Sequence, residues 1–418
     1  MRFLTIALIV MPSLAWAETF KLEEKDLPGL LETRNGNVLG GRATIQANQA
    51  ELGYFRRSFL PRLQVSFGSE NTDGTRASQT TNSYGYMSST ASLNLFNGGR
   101  DFLKEKSRLA KVDRAQAELE GSKFGALTHV RILFWQMLYQ KEVISILESA
   151  IRLNEQNLQS AFKKIKSNLA TKTDEIDFNQ TDIQLDQDLR KSKIELANNM
   201  REMAALLNHP PDTLYDVPAI NMHESGHSLD GFHSRGFNGE NHREIKRLEA
   251  LKSSAEFEGR ASSRWWTPQV DLYASKVRRF ESLGGTNEMD RDEGEVLGVK
   301  LTFSFDGLQS EATSVAQAYR TLSFSYAKKQ RMQEIQSGFT NSYQLYVLNH
   351  DLVHSAEENN KVAQKYYENI WGEYMRGVKN SPDVLQAFQR IVEAKIRYAD
   401  IKKDYQVASA KILGYLQE

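Results

Sequence analysis

The chain has 418 residues, 40% hydrophobic and 25% charged, a balance that excludes both a disordered polymer and a multi-span helical membrane protein. Its 53 basic and 53 acidic residues cancel, so bulk charge points to no nucleic-acid partner. The absence of cysteine excludes disulfides, thiolate zinc sites and a lipidated N-terminal Cys, and the scarcity of proline, 8 in all, leaves room for very long helices.

Residues 1–17 read as a secretory signal peptide. Arg2 is the basic n-region, Phe3 to Val10 the apolar core and Ala15-Trp16-Ala17 a small-x-small cleavage site. No later stretch reaches the ~20 apolar residues a membrane helix needs. If the exported chain enters a membrane, it does so as a β-barrel.

A helical segment over 38–57 comes next, and Pro61 opens a predicted strand at 61–70. There Leu63, Val65 and Phe67 alternate with polar residues. A polar loop leads to a second alternating strand at 88–97 carrying Ala91, Leu93 and Leu95, and Gly98 marks the turn into a long helix. Strands of this length span a tilted bilayer crossing. In the long helix Leu147, Ile151, Leu158, Phe162, Ile165 and Leu169 fall on steps of three, four or seven, the spacing of a coiled-coil seam. A turn follows around Asn168, a residue that tolerates the left-handed conformation. Thr171 or Thr173 is positioned to cap the returning helix, and Asp174 lies in its first turn. That helix carries Phe178, Leu185, Leu189, Leu196, Met203 and Leu207. The predicted first repeat is 18–208.

The segment 209–242 reads as a polar linker. It contains His223-Glu224-Ser225-Gly226-His227, a match to the H-E-x-x-H pattern of zinc metalloproteases. A working zinc site needs both histidines on one helical face. Three prolines and four glycines in 209–241 argue against a helix there. Five of the eight histidines lie in 209–242, which raises the odds of a chance match. The linker reading leads, with a protease site and a weak metal site from His223, His227, His233 and His242 as rivals.

The second repeat, 243–418, has the same grammar. A helix is predicted over 243–264, followed by strands at 268–277 and 295–305, a turn at Gly307, and a helix from about 308 to 375. That helix is roughly 100 Å long at 1.5 Å per residue. Its seam reads Met332, Ile335, Phe339, Tyr346, Val353, Ala356, Ala363, Tyr367, Ile370 and Tyr374. Trp265 and Trp266, with Phe59 and Tyr54, lie just before strands and suit either a membrane-interface belt or packing between helix and barrel; Tyr84 and Tyr86 are weaker candidates at the other rim. In the turn "RGVKNSPDVL", Gly377 is positioned to end the helix, Ser381 to cap the next one, Pro382 to occupy its first position and Asp383 its first turn. Pro61 and Pro268, Phe96 and Phe305, Gly98 and Gly307, and Asp174 and Asp383 are partners separated by 207–209 residues. A constant offset along the chain marks an internal duplication.

Four strands cannot close a barrel, and open edges are not tolerated in lipid, so several copies must share one. The strand count alone leaves two, three or four copies open. The order of elements, the repeat and the stretch "YMRGVKNSPDVLQA" (374–387) resemble the TolC family of outer-membrane efflux proteins. The resemblance implies an α+β membrane protein and a homotrimer with a 12-stranded outer-membrane β-barrel, four strands per chain. A periplasmic α-helical coiled-coil barrel continues it. It implies an exit duct for tripartite efflux or type I secretion, set in outer-membrane lipid and partnered by a periplasmic membrane-fusion adaptor and an inner-membrane transporter, either a proton-driven pump or an ABC exporter. No catalysis, cofactor or metal is implied. It also implies a periplasmic gate in which Tyr374 is the tyrosine, Lys379 stands where an arginine is common, Asp383 is a ring aspartate and Asp174 the partner in the first half. Gln386 replaces a second ring aspartate, which would halve the ring charge. From the residues alone, Asp383 is equally a helix-cap carboxylate and Tyr374 a seam residue. An exported coiled-coil spacer without a pore is the alternative reading of the whole chain.

Overall fold

The computed structural model describes residues 19–72, 82–167, 172–218, 237, 239–281, 293–306 and 308–417. The signal segment, Asn168, Thr171, Gly307 and the His223–His227 motif with His233 lie outside these residues. The chain forms two compact units, each drawn from both halves of the sequence: Met1–Gly41, Leu119–His242 and Gln333–Glu418 in one, Arg42–Glu118 and Arg243–Met332 in the other.

The second of these units holds a four-stranded antiparallel sheet. Strands β2 (Arg62–Thr72), β3 (Asn82–Asn97), β5 (Gln269–Glu281) and β6 (Glu293–Thr302) lie in the order β2-β3-β5-β6. Strand β1 (Thr19–Lys21) and strand β4 (Leu214–Asp216) belong to the first unit. In the register of the sheet Leu63 faces Ala91, Ala91 faces Ala274 and Ala274 faces Leu297, while Leu93, Leu272 and Val299 form the next row. Side chains alternate between faces with period two, so one face of the sheet is an apolar surface. That surface is left uncovered: Phe67 is 75% and Leu297 77% exposed, and Leu63, Val299 and Leu301 are exposed with them. The predicted fourth strand ends at Thr302, and Phe303 and Phe305 continue as exposed non-strand residues.

On the opposite face the two hairpins share a device. Gly68 pairs with Tyr86, and a Cβ at Gly68 would lie 2.7 Å from the Tyr86 ring. Tyr273 pairs with Gly298, where a Cβ would lie 3.3 Å from the ring. In each pair the outer part of a tyrosine ring lies against the glycine of its neighbouring strand.

The passage from β3 into helix α4 (Arg100–Lys166) runs through Gly98 and Gly99, both at positive φ, where L side chains are strained. Gly98 also has no room: a Cβ would lie 1.8 Å from Thr267 Oγ1. Arg264 Nη1 donates to the Gly98 carbonyl at 3.0 Å, and Thr267 Oγ1 donates to the Arg264 carbonyl at 2.7 Å. Asp101, buried in the first turn of α4, accepts from Asn94 at 3.0 Å and Asn97 at 3.1 Å. A carboxylate there also meets the positive end of the helix dipole. Helix α6 (Arg243–Ser262) packs in the same unit, with Ser107, Ser254 and Glu258 joined by hydrogen bonds of 3.0 Å.

The other unit is helical. Its first helix is α1 (Leu27–Arg34); α2 (Gly36–Ala50) is divided between the units at Arg42, and α3 (Tyr54–Ser58) belongs to the sheet-bearing unit. Helix α4 turns into α5 (Lys172–Leu206), and α7 (Gln309–Met375) turns into α8 (Ser381–Leu416). At 67 residues, α4 and α7 each carry about 100 Å of helix at 1.5 Å per residue. Three apolar cores hold the unit. One gathers Leu27 and Leu31 of α1, Phe134 and Trp135 of α4, Met203 of α5 and Tyr215 of β4. Strand β4 pairs in parallel with β1, so the predicted linker 209–242 supplies a strand and two core residues, Tyr215 and Val217. A second joins α7 and α8 through Tyr346, Val353, Tyr405 and Ile412. The third lies toward the two helix turns and includes Phe178, Tyr367, Tyr374 and Phe388.

The seam of α4 differs from the expected one. Leu147, Ala150, Asn154, Asn157 and Ala161 are buried, whereas Phe162 is 40% exposed and Ile151, Leu158 and Ile165 are half-buried. The true stripe sits one position away from the apolar residues and is partly polar. Asn154 Nδ2 donates to the Phe178 carbonyl at 3.0 Å, which makes its burial tolerable. No described helix is long and apolar enough to cross a membrane.

Candidate functional site

The α7–α8 turn is built by complementary caps. At the end of α7, Gly377 adopts φ +81°. Its N–H donates to the Tyr374 carbonyl and the Val378 N–H to the Glu373 carbonyl, both at 3.0 Å. This is a Schellman closure, which demands a left-handed residue and so favours glycine. The start of α8 corrects the expected cap: the N-cap is Asn380, and Ser381 and Pro382 are the first two helical residues. Asn380 Oδ1 accepts from the Asp383 N–H at 3.2 Å, and Asp383 Oδ2 accepts from the Asn380 N–H at 3.4 Å. Asn and Ser cap about equally well. Asn380 prevails because a residue three positions on, Asp383, can complete a reciprocal box with it.

Tyr374 is 2% exposed and forms part of the core beneath the turn, beside Trp371 at 5.5 Å between ring centroids. Ser381 Oγ donates to its hydroxyl at 3.5 Å, a long contact. The end of α4 supplies a residue the sequence reading passed over. Lys164 Nζ lies 3.5 Å from the centroid of the Tyr374 ring and donates to the Tyr374 carbonyl. That carbonyl therefore accepts from both Gly377 and Lys164. Burial pushes the Lys164 ammonium below its ordinary pKa, and Asp174 opposes the shift. Burial also pushes the Tyr374 phenol up, with Asp174 adding to it. Asp174, in the first turn of α5, thus acts on both groups. One heptad before this contact, the Tyr367 hydroxyl donates to Asn157 Oδ1 at 3.0 Å.

The remaining expected gate residues are placed as follows. Lys379 Nζ lies 3.9 Å from Asp383 Oδ2, both side chains more than a third exposed. Gln386 is exposed, one turn beyond Asp383 on α8. Thr173 lies inside α5 and exposed, so it is not that helix's cap. At the sheet, Trp265 is half-buried against Phe305 at 6.1 Å between ring centroids, and Trp266 is 65% exposed. Phe59 packs on Phe55 at 5.2 Å, and Phe55 on Phe102 at 6.0 Å. Among the described residues there is no cluster of His, Asp and Glu arranged to hold a metal.

Residues 27–207 match the family model described as outer membrane efflux protein. That match covers somewhat less than half of the chain. No curated protein matches the sequence. Among solved structures the chain is similar to CusC, described in terms of folding and transmembrane channel formation, with 14% identity, a TM-score of 0.79 and coverage of 95% of this chain and 93% of that one. It is similar to the outer membrane protein VceC of Vibrio cholerae, with 11% identity, a TM-score of 0.78 and coverage of 94% and 96%. It is also similar to the CmeC outer membrane channel of Campylobacter jejuni, with 11% identity, a TM-score of 0.78 and coverage of 94% and 85%. At these identities the likeness is one of fold, and it extends to the second half, which the family match leaves out. The efflux family is one of outer-membrane channels that reach into the periplasm, and its members are not enzymes.

Proposed function

We propose that the chain is the exit duct of a tripartite efflux or type I secretion system. Three copies would share a 12-stranded barrel, and a periplasmic adaptor and an inner-membrane transporter would feed it. The observation that carries this reading is the sheet. Four antiparallel strands expose one apolar face, and β2 and β6 form its two edges. Such a sheet is stable in lipid only when copies of itself complete the barrel. The family supports a channel, and the capped α7–α8 turn carrying Tyr374, Lys379, Asp383 and Gln386, with Asp174 at the start of α5 acting on Tyr374, supports opening at the periplasmic tip. Trp265, Trp266 and Phe59, at the entrances to the strands, suit a belt at the membrane interface.

The test is single-channel recording of the detergent-purified mature protein in a planar bilayer, with native mass measurement of the same sample. A trimer that gives small, discrete, mildly cation-selective steps supports the reading. In that channel Asp383→Ala shifts the reversal potential toward zero, and an unchanged potential removes Asp383 from the ion path. Silence at every voltage from folded, inserted protein would overturn the channel. A monomer soluble without detergent would favour the spacer.

A further inference from the structure

Two residues outside the expected gate set, Lys164 and Asn157, make contacts near the end of α4. Lys164 holds the Tyr374 ring and carbonyl. Asn157 holds the Tyr367 hydroxyl. The two contacts repeat with the same residue offset, |i−j| = 210, and seven residues apart on each helix. Two helices that meet at a constant offset and a heptad interval run parallel and in register. Near the turns, then, the seam between α4 and α7 is written in polar rungs, each pairing a tyrosine of α7 with a cation or amide of α4. Both tyrosine rings also belong to the buried core here, with Ile370 of α7, Ala161 of α4 and, on the returning helices α5 and α8, Phe178, Val384, Phe388 and Ile391, so the polar character belongs to the contact each tyrosine makes with α4.

The difference matters for separation in water. An apolar rung that parts exposes hydrocarbon, and its cost grows with the area exposed. A polar rung that parts exchanges one hydrogen-bond partner for water, and its net cost is small. A lysine is also strongly hydrated once released. A seam that must part and close repeatedly is better made of the second kind.

Resting on the exit-duct reading, we propose that Lys164 is the positioning residue that clasps the α7–α8 turn to the end of α4, with Asn157 and Tyr367 as the second rung of a separable seam. Lys164 acts through Tyr374. It caps a carbonyl that also takes the Gly377 N–H of the Schellman closure, so it fixes the turn as well as the helix. Lys379, the cation expected from the motif, lies in the turn beside Asp383 and is not required for this clasp. Asp174 sets the charge around it, opposing the desolvation of the Lys164 ammonium.

The experiment compares wild type with Lys164→Met, which keeps an unbranched side chain of nearly the same length and removes its charge, and with Lys164→Arg, which keeps the charge. Two readouts are taken from full-length protein in detergent and in bilayers: hydrogen exchange of the peptide spanning 372–380, and single-channel conductance. Lys164→Met is expected to speed exchange at the Gly377 and Val378 amides by roughly five- to thirty-fold, the span that loss of the single desolvated cation–π contact would set. It also raises conductance or open time, and Lys164→Arg restores both. Unchanged exchange in Lys164→Met, in protein of wild-type helicity, overturns the clasp while leaving the channel standing. Faster exchange that Lys164→Arg does not restore overturns the role of the charge. Faster exchange with unchanged conductance, in a wild type that conducts, overturns the role in opening. Failure of the exit-duct reading shows separately, as a wild type that inserts and never conducts.

Discussion

Gly98 shows how much a single residue is asked to do. Its backbone is left-handed, its carbonyl accepts from Arg264, and the space where a side chain would begin is filled by Thr267. Gly98→Ala is therefore expected to cost about 1–3 kcal/mol through overpacking and backbone strain together, read as a lower thermal midpoint. Gly98→Ala combined with Thr267→Gly should recover the packing part and leave the strain. Retention of the wild-type midpoint in the single variant would refute the argument. Gly98 was legible in the sequence as a turn, because glycine is the common mark of a strand-to-helix corner. Its clash partner was not, since Thr267 is remote in sequence. Lys164 was harder still. A lysine between apolar residues on a long helix reads as solvated surface, and only the 210-residue pairing with Tyr374 brings it inward.

At the scale of elements, the periodic signals carried most of the fold. The four strands and four long helices follow from period-two and heptad patterns that the chain keeps over many residues, and the seams of α5 and α7 are buried where those patterns place them: Phe178, Leu185, Tyr346, Val353 and Tyr374. The seam of α4 misled the eye for a physical reason. Its core positions include Asn154 and Asn157, which are buried with hydrogen-bond partners, while an exposed Phe162 mimics a core residue. Hydrophobicity alone does not distinguish these cases, because each amide keeps one hydrogen bond that offsets part of its burial cost, though Asn154 Oδ1 and Asn157 Nδ2 are left unpaired. Helix ends were legible in kind and displaced by one residue, as with Ser381 and Asn380. The cap gives the test for α8. Asn380→Ala removes the acceptor for the Asp383 N–H and should destabilise the helix start by about 1 kcal/mol, whereas Asn380→Asp should be close to neutral. Faster exchange confined to the first turn of α8 in the alanine variant is the expected result. Equal exchange in both variants would show that the box is not what holds the turn.

For the molecule as a whole, alkaline pH probes the core beside β1 and β4. Burial pushes the Tyr215 phenol up to about 12, against an ordinary value near 10. A tyrosine raised in this way favours the folded state fully below about pH 10, and that contribution is lost as pH rises toward 12. Absorbance at 295 nm should therefore show exposed tyrosines ionising first and Tyr215 later, together with loss of helicity. Tyr215→Phe should move the alkaline unfolding midpoint upward. Ionisation of Tyr215 near pH 10 with helicity intact would contradict its burial. The two tyrosines that lie against glycines, Tyr86 on Gly68 and Tyr273 on Gly298, bear on a different property of the proposed barrel. If the apolar face of the sheet meets lipid, these rings line the other side, and each hugs the backbone instead of standing away from it. The bore then keeps its clearance with aromatic side chains in place, and a larger residue at 68 or 298 would tip a ring inward and narrow it. In such a barrel, substituting either glycine would narrow the passage without removing a hydrogen bond from the sheet, so its width would be set by residues that carry no side chain at all.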